Sequence, residues 1–334
     1  VYKLIKEEVP LENLSRFLDD LVEYSSAYAI IASKNDDTDI EYFDIKRNYQ
    51  VRSLLAAIEV LYKREMITED DCKTCFHNLG NFFFLIHSCS YTSNKTDKAI
   101  ANAAFDVYHT KSEMDFKYVI SDVFRELSKF ISSSTVDELM FTTSSMHYSL
   151  KNSAYKSNHR IVKYILYCLY MPDQRDTVLD QSRLTIEHLL NDDGSVRNSS
   201  IYNLTLTSGE INSNELKNRG LVEKIGILKS QSSVIANQKL DEYLDAQGEY
   251  LEDKRKNDLK EQAISNVFKY EGSPFGYTKE MVDGYLKMKR ALQSDEELLA
   301  VLLERGMNIQ AYLSNNPAMQ DAYNRFLTLC GTTS

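Results

Sequence analysis

Apolar residues recur at helical spacing through the first half of the chain. Val51, Leu54, Leu55, Ile58, Leu61 and Tyr62 fall on one face of one helix, and Ile120, Val123, Phe124, Leu127 and Ile131 on one face of another. From Ile161 to Tyr170 the chain is apolar nearly all round, the pattern of a central buried helix that ends before Pro172. Polar clusters at Asn35-Asp36-Asp37, Asn94-Lys95-Thr96-Asp97 and Ser132-Ser133-Ser134-Thr135 are of the kind that close one helix and open the next. Helix breakers agree: only Gly80 precedes Gly194, and no proline lies between Pro10 and Pro172. The pattern predicts a bundle of roughly six to eight helices over residues 1–171.

After Met171-Pro172-Asp173-Gln174 the texture changes. Gly194, Gly209, Gly220 and Gly226 come close together, and two short runs have strand character: Arg183-Leu184-Thr185-Ile186-Glu187 and Ile201-Tyr202-Asn203-Leu204-Thr205-Leu206. A polar loop, Asn191 to Ser200, joins them. Thr207-Ser208-Gly209-Glu210 has the T-x-x-E form of a capping box, so a helix is expected to begin near Ser208. Helical pattern returns in Glu249 to Gln262 and, after the Gly272-Ser273-Pro274 break, in Thr278 to Leu292 and Glu296 to Glu304. The expected organisation is a helical bundle over 1–172, a small strand-strand-helix domain over 173–268 and a helical C-terminal subdomain over 269–334.

Composition narrows the partners. A chain of 334 residues is long enough for two or three domains. No apolar run approaches the length of a bilayer span, so no membrane partner is expected. With 39 basic and 49 acidic residues the formal charge is −10, and any contact with nucleic acid must come from a local patch. Five cysteines, an odd number, do not form a disulfide framework, and a reducing cytoplasm is the expected setting. The start Val1-Tyr2-Lys3-Leu4 lacks Met and runs directly into amphipathic sequence, as in a piece of a longer protein.

The window 183–239 concentrates the chemistry. Strand, loop, strand and capped helix there carry Glu187 and His188 at the end of the first strand, Asn203 in the second and Asn212 in the helix. Phosphodiester hydrolysis with one metal needs oxygen ligands for Mg²⁺, a neutral imidazole to deprotonate water and a group that orients the imidazole. The same window holds seven basic and six acidic residues between Arg183 and Lys239, so it is less acidic than the rest of the chain. Lys217, Arg219, Lys224 and Lys229 are candidate phosphate contacts.

In Thr185-Ile186-Glu187-His188-Leu189-Leu190, Ile201 to Gly209, Asn212, Leu216, Asn218, Arg219 and Lys224, the chain resembles the HNH (ββα-metal) endonucleases, and specifically the C-terminal nuclease domain of GmrSD-type modification-dependent restriction enzymes. The resemblance implies a Mg²⁺- or Mn²⁺-dependent DNA endonuclease of an anti-phage defence system. In that assignment His188 is the general base, Asn203 positions it, and Glu187 and Asn212 are metal ligands. The spacings suit the family, with 15 residues from His188 to Asn203 and 9 more to Asn212. Asn191 and Tyr202 stand where the family usually has Pro and Gly, and one extra residue between Asn212 and Leu216 makes Asn214 the alternate ligand. More loosely, Asn48 to Leu55, Leu79 to Phe84 and Arg160 to Leu166 resemble the helical part that follows the NTPase domain of the same enzymes. That likeness implies an upstream NTPase domain in the same polypeptide, and cutting both strands implies a homo-oligomer. Two rival readings are a scaffold whose nuclease centre has decayed and a nuclease directed at RNA.

Cys72-Lys73-Thr74-Cys75, with His77, His87 and Cys89, has the C-x-x-C spacing of a zinc site. Its surroundings are helical and apolar and no second C-x-x-C follows, so core packing is the expectation. His147 and Asn158-His159-Arg160 are expected to cap or pack at helix starts, and the 22 tyrosines to serve mainly as core and boundary residues.

Overall fold

In the computed structural model, which describes residues 13–33, 38–89, 96–174, 179–217, 219–287 and 289–290, the apolar periodicity of the first half becomes eight α-helices. These are α1 (Leu14–Ser33), α2 (Thr38–Lys46), α3 (Val51–Lys63), α4 (Glu69–Ser88), α5 (Asp97–Tyr108), α6 (Glu113–Ser128), α7 (Ser133–Leu139) and α8 (His159–Tyr170). The polar clusters Asn35-Asp36-Asp37 and Asn94-Lys95 lie outside the described residues, as do Asn218 and the stretch Glu296 to Glu304.

Side-chain caps fix where two of these helices begin. At α4 the Thr68 hydroxyl accepts from the Asp71 N–H, and the Asp71 carboxylate accepts from the Thr68 N–H, each at 3.1 Å. Ser112 caps α6 through the Asp115 N–H at 3.1 Å. Val51, Leu54, Leu55, Ile58 and Leu61 of α3 are buried, while Tyr62 turns outward. Consecutive Phe82, Phe83 and Phe84 make α4 buried on almost every side, and α8 buries Ile161, Val162, Tyr164, Ile165, Leu166, Leu169 and Tyr170.

Strands β1 (Leu184–His188) and β2 (Leu204–Ser208) form a two-stranded antiparallel sheet, pairing Leu184 with Ser208, Ile186 with Leu206 and His188 with Leu204. Ile201–Asn203 is a 3₁₀ turn, so Asn203 sits just before β2 and not inside it. The helix cap is also one residue later than expected. Ser208, not Thr207, accepts the Ile211 N–H at 3.3 Å, because Thr207 lies within the strand and its hydroxyl is buried. Short helix α9 (Gly209–Ile211) runs into a π-helical turn, Asn212–Leu216. A π turn takes up one residue more than an α turn. Beyond it come α10 (Leu221–Gln231), the 3₁₀ segment Ile235–Tyr243 and α11 (Glu252–Gln262).

One apolar core crosses the sequence boundary at Pro172. Leu184, Ile186, Ile201, Leu204, Leu206, Leu259 and Phe268 share a cluster with the helical body, and Phe268 stacks on Phe84 with ring centroids 3.6 Å apart. A second, smaller cluster of Leu189, Leu216, Ile225, Leu228 and Leu240 lies beneath α10. Asn78 and Glu271 exchange two 2.8 Å bonds, and Tyr285 donates to Asp115 at 3.0 Å, so the chain after α11 lies against α4 and α6.

Cys72, Cys75 and Cys89 are buried and form no disulfide among the described residues, and burial pushes the Cys75 thiol well up. Among the described residues no group of three or more His, Cys, Asp and Glu could hold a metal ion. His87 packs against Tyr42 and Phe83 with its Nδ1 3.2 Å from the Tyr42 hydroxyl. No described helix is long and apolar enough to cross a membrane.

Candidate functional site

Side chains alternate across a strand, so Glu187 and His188 point to opposite faces of the hairpin. His188 shares its face with Ile186 and Leu204, which pack into the helical body. Its Nε2 meets the main-chain carbonyl of Tyr148 at 3.0 Å, and the Tyr148 ring stacks on the imidazole at 5.8 Å. A carbonyl can only accept, so Nε2 is the donor in this contact, and in the neutral ring Nδ1 is then the acceptor. The imidazole is thus oriented by a residue 40 positions upstream.

The stretch that presents the Tyr148 carbonyl is itself tied to the β1–β2 loop. Tyr148 N–H donates to Ser199 O at 2.7 Å, and His147 forms a β-bridge with Ser200. Asp192 accepts from the Ser149 hydroxyl at 2.7 Å and from the main-chain N–H groups of Leu150 at 2.8 Å and Gly194 at 3.0 Å. Burial pushes the Asp192 carboxyl up, but the bonds from Ser149, Gly194 and Leu150 outweigh it and hold the group below the usual aspartate range. Asn152 donates to Gly194 O at 2.9 Å.

Asn203 is buried and fully engaged with backbone. Its Oδ1 accepts from Leu190 N–H at 2.8 Å, and its Nδ2 donates to Leu190 O at 2.9 Å and Asn198 O at 2.7 Å. These bonds fix the turn directly after His188; the imidazole's own partner is the Tyr148 carbonyl. Asn212 Nδ2 donates to Ile186 O at 3.0 Å, which draws the start of the π turn onto β1 and brings this side chain beside the Glu187 strand. Asn214 is exposed and accepts from the Ser213 hydroxyl at 3.4 Å.

On the other face, Glu187 Oε1 accepts from the Lys224 ammonium at 2.5 Å, and the same ammonium donates to His188 O at 2.6 Å. Lys224 is 3% exposed, so this side chain, expected as a phosphate contact, is turned inward by its carboxylate partner. Arg219 donates to Glu215 O at 2.8 Å and pairs with Glu223 on the following turn, while Lys217 is exposed. Lys229 pairs with Asp241.

The oxygens around Glu187 hold a cation of the chain's own. A carboxylate oxygen and a main-chain carbonyl converge on the Lys224 ammonium, and Asn212 is engaged with Ile186 O through its Nδ2 donor, so a metal ion would have to displace Lys224 and take Asn212 through Oδ1. Mg²⁺ takes oxygen ligands and is commonly held by one or two protein groups together with substrate phosphates. Glu187 and Asn212 are the residues that would hold it, with Lys224 as the competing cation.

Sequence reasoning did not find Tyr148, Asp192 or Asn237. Asn237 accepts from the Thr205 hydroxyl at 2.6 Å and donates to Leu206 O at 2.8 Å, bracing β2 from the 3₁₀ segment. Asp192-Asp193-Gly194 carries an ordinary turn signal, but a backbone carbonyl such as that of Tyr148 leaves no trace in sequence. No family model, curated protein or solved structure matches this chain.

Proposed function

We propose that the hairpin and its following helix form the catalytic unit of a metal-dependent DNA endonuclease with His188 as general base. The single observation that carries this reading is the His188 contact with the Tyr148 carbonyl, which orients the imidazole through Nε2 and leaves Nδ1 as the nitrogen for proton transfer. In the proposed reaction Nδ1 takes a proton from water as the water oxygen bonds to phosphorus. The P–O3′ bond opposite breaks, its oxygen is protonated from solvent, and the 5′ phosphate remains on the other fragment. A bound divalent ion supplies electrostatic stabilisation of the charge that builds on the phosphate oxygens. Glu187, which leaves β1 on the face opposite His188, and Asn212 would be its oxygen ligands, Asn203 holds the turn after the base, and exposed Lys217 is available to a phosphate. The ββα-metal assignment, an NTPase domain upstream and a cytoplasmic defence role belong to the same proposal.

Supercoiled plasmid and a matched RNA, each incubated with Mg²⁺ or Mn²⁺ and with chelator, test it. Metal-dependent scission of the plasmid supports the reading, scission of RNA alone replaces DNA with RNA as substrate, and intact substrate under all conditions removes the enzymatic assignment.

A second reading has its own observation. The Glu187–Lys224 pair neutralises the carboxylate internally, as in a scaffold whose metal centre has decayed. Calorimetry decides between them, because a decayed centre takes up no Mg²⁺ or Mn²⁺ while remaining folded.

A further inference from the structure

A cavity of about 340 Å³ lies between the end of α2 and the start of α8, lined by Lys46, Arg47, Ser145, Ser157, Asn158 and Arg160 together with Asp44 and two isoleucines. Its cations are poorly compensated in a chain that is acidic as a whole. Lys46 donates to the neutral Ser145 hydroxyl at 3.2 Å, and among the described residues no carboxylate pairs with Lys46 or Arg47. Arg160 is 65% exposed and reaches Glu41 only at 3.6 Å. The Asp44 carboxylate is taken by Arg52 at 2.5 Å and does not neutralise the cavity. Burial pushes the Lys46 ammonium below its usual range, the expected response of a cation that lacks a counter-charge.

We infer that this cavity is a phosphate-binding subsite that receives the nucleic-acid backbone beside the hairpin. The inference rests on the nuclease reading for its substrate, and on the cavity alone for its chemistry. Three cations and the Ser145 and Ser157 hydroxyls suit a phosphate, and among the described residues no aromatic side chain lines the cavity to stack a base. Its location supplies the link to the hairpin. Asn158 donates to Ser144 O at 2.7 Å and to His147 O at 2.9 Å, which fixes the segment whose next residue, Tyr148, holds His188. Ser145 is three residues from Tyr148, so the two are separated by roughly 11 Å of extended chain at most. The cavity wall therefore lies close along the chain to the residue that holds His188.

The test uses the full chain carrying His188→Ala, in chelator, so that binding is read without cleavage. Anisotropy of a labelled duplex is measured over a series of salt concentrations for this protein and for versions that add Lys46→Met, Arg47→Ser and Arg160→Ser. The triple replacement is expected to weaken binding about tenfold and to reduce the salt slope by about one unit for each phosphate that the protein no longer neutralises. Arg160→Ser alone, on an exposed side chain, should give part of that loss even if the Lys46 replacement perturbs folding. Unchanged affinity and slope overturn the inference, as does a parent protein that does not bind the duplex. A triple variant that loses calorimetric binding of inorganic phosphate yet keeps its duplex affinity overturns the assignment to backbone. If the wild-type chain binds duplex through these residues but never cuts it, the nuclease reading fails and the subsite stands.

Discussion

Helix α4 and the β1–β2 hairpin are held in place by different physics. In α4, Phe82, Phe83, Phe84, Leu79 and Ile86 are buried by apolar contacts that need no particular partner atom. Around the hairpin the loop is held by Asn203, Asp192, Asn237 and Ser149, each bonded to named backbone or side-chain groups. An apolar core tolerates exchange of one hydrophobe for another of similar volume, whereas an amide that satisfies three backbone groups has no substitute. At His188 directional bonds therefore add to the apolar packing of Ile186 and Leu204, and they join the hairpin to a stretch of the helical body, residues 147–152.

The sharpest way to break this contrast is Lys224→Met, which leaves the Glu187 carboxylate buried without its cation. Loss of one partner of a buried pair costs about 3–5 kcal/mol, read by chemical denaturation. The double change Glu187→Gln with Lys224→Met should recover most of that loss. Added Mg²⁺ should raise the melting temperature of Lys224→Met more than that of the wild type, since the ion then has no ammonium to displace.

In the body, Phe83→Ala should cost about 3–5 kcal/mol by removing a buried ring, with the effect spread through the core and little local opening at the hairpin. Asn203→Ala should cost about 2–3 kcal/mol by leaving the Leu190 and Asn198 backbone groups unsatisfied. Its signature is different: hydrogen exchange should accelerate at Leu190 and neighbouring amides while the α4 amides stay protected.

A smaller effect comes from pH. Burial lowers the His87 pKa to about 3, with a further push from the Lys46 ammonium. The unfolded chain binds a proton at this residue below about pH 6.5 and the folded chain does not, so stability contributed by His87 is present above that value and falls as pH drops from about 6.5 toward 3. The slope from this one group is about 1.4 kcal/mol per pH unit in that window. His87→Phe should flatten the unfolding free energy between pH 6 and 5, whatever it does to absolute stability. An unchanged slope would show that His87 titrates normally.

The same contrast decides what was legible in the sequence. The helical body followed from periodicity, because burial in α3, α6 and α8 depends on spacing within each helix. Both strands were recognisable from their β-prone runs, but their limits shifted by one to three residues. Asn203 was pulled into a 3₁₀ turn by bonds to Leu190 and Asn198, and Ser208 took the cap while Thr207 stayed in the strand. Glu187, His188 and Asn212 stood out as residues. Lys224 stood out too, but as a phosphate contact and not as the partner of Glu187, and Tyr148 and Ile186 did not, since these contacts span 26 to 40 residues and two of them are to backbone carbonyls. The separation into a bundle and a distinct small domain was suggested by glycine content, which says nothing of the core shared across Pro172.

The central claim is that His188, fixed by the Tyr148 carbonyl, removes a proton from the attacking water. Single-turnover cleavage of a supercoiled plasmid in Mg²⁺, measured for the wild type and His188→Ala with both shown to be folded, tests it most directly. A rate about two to four orders of magnitude lower in the variant is the predicted result. Equal rates would contradict it and remove His188 from the chemistry.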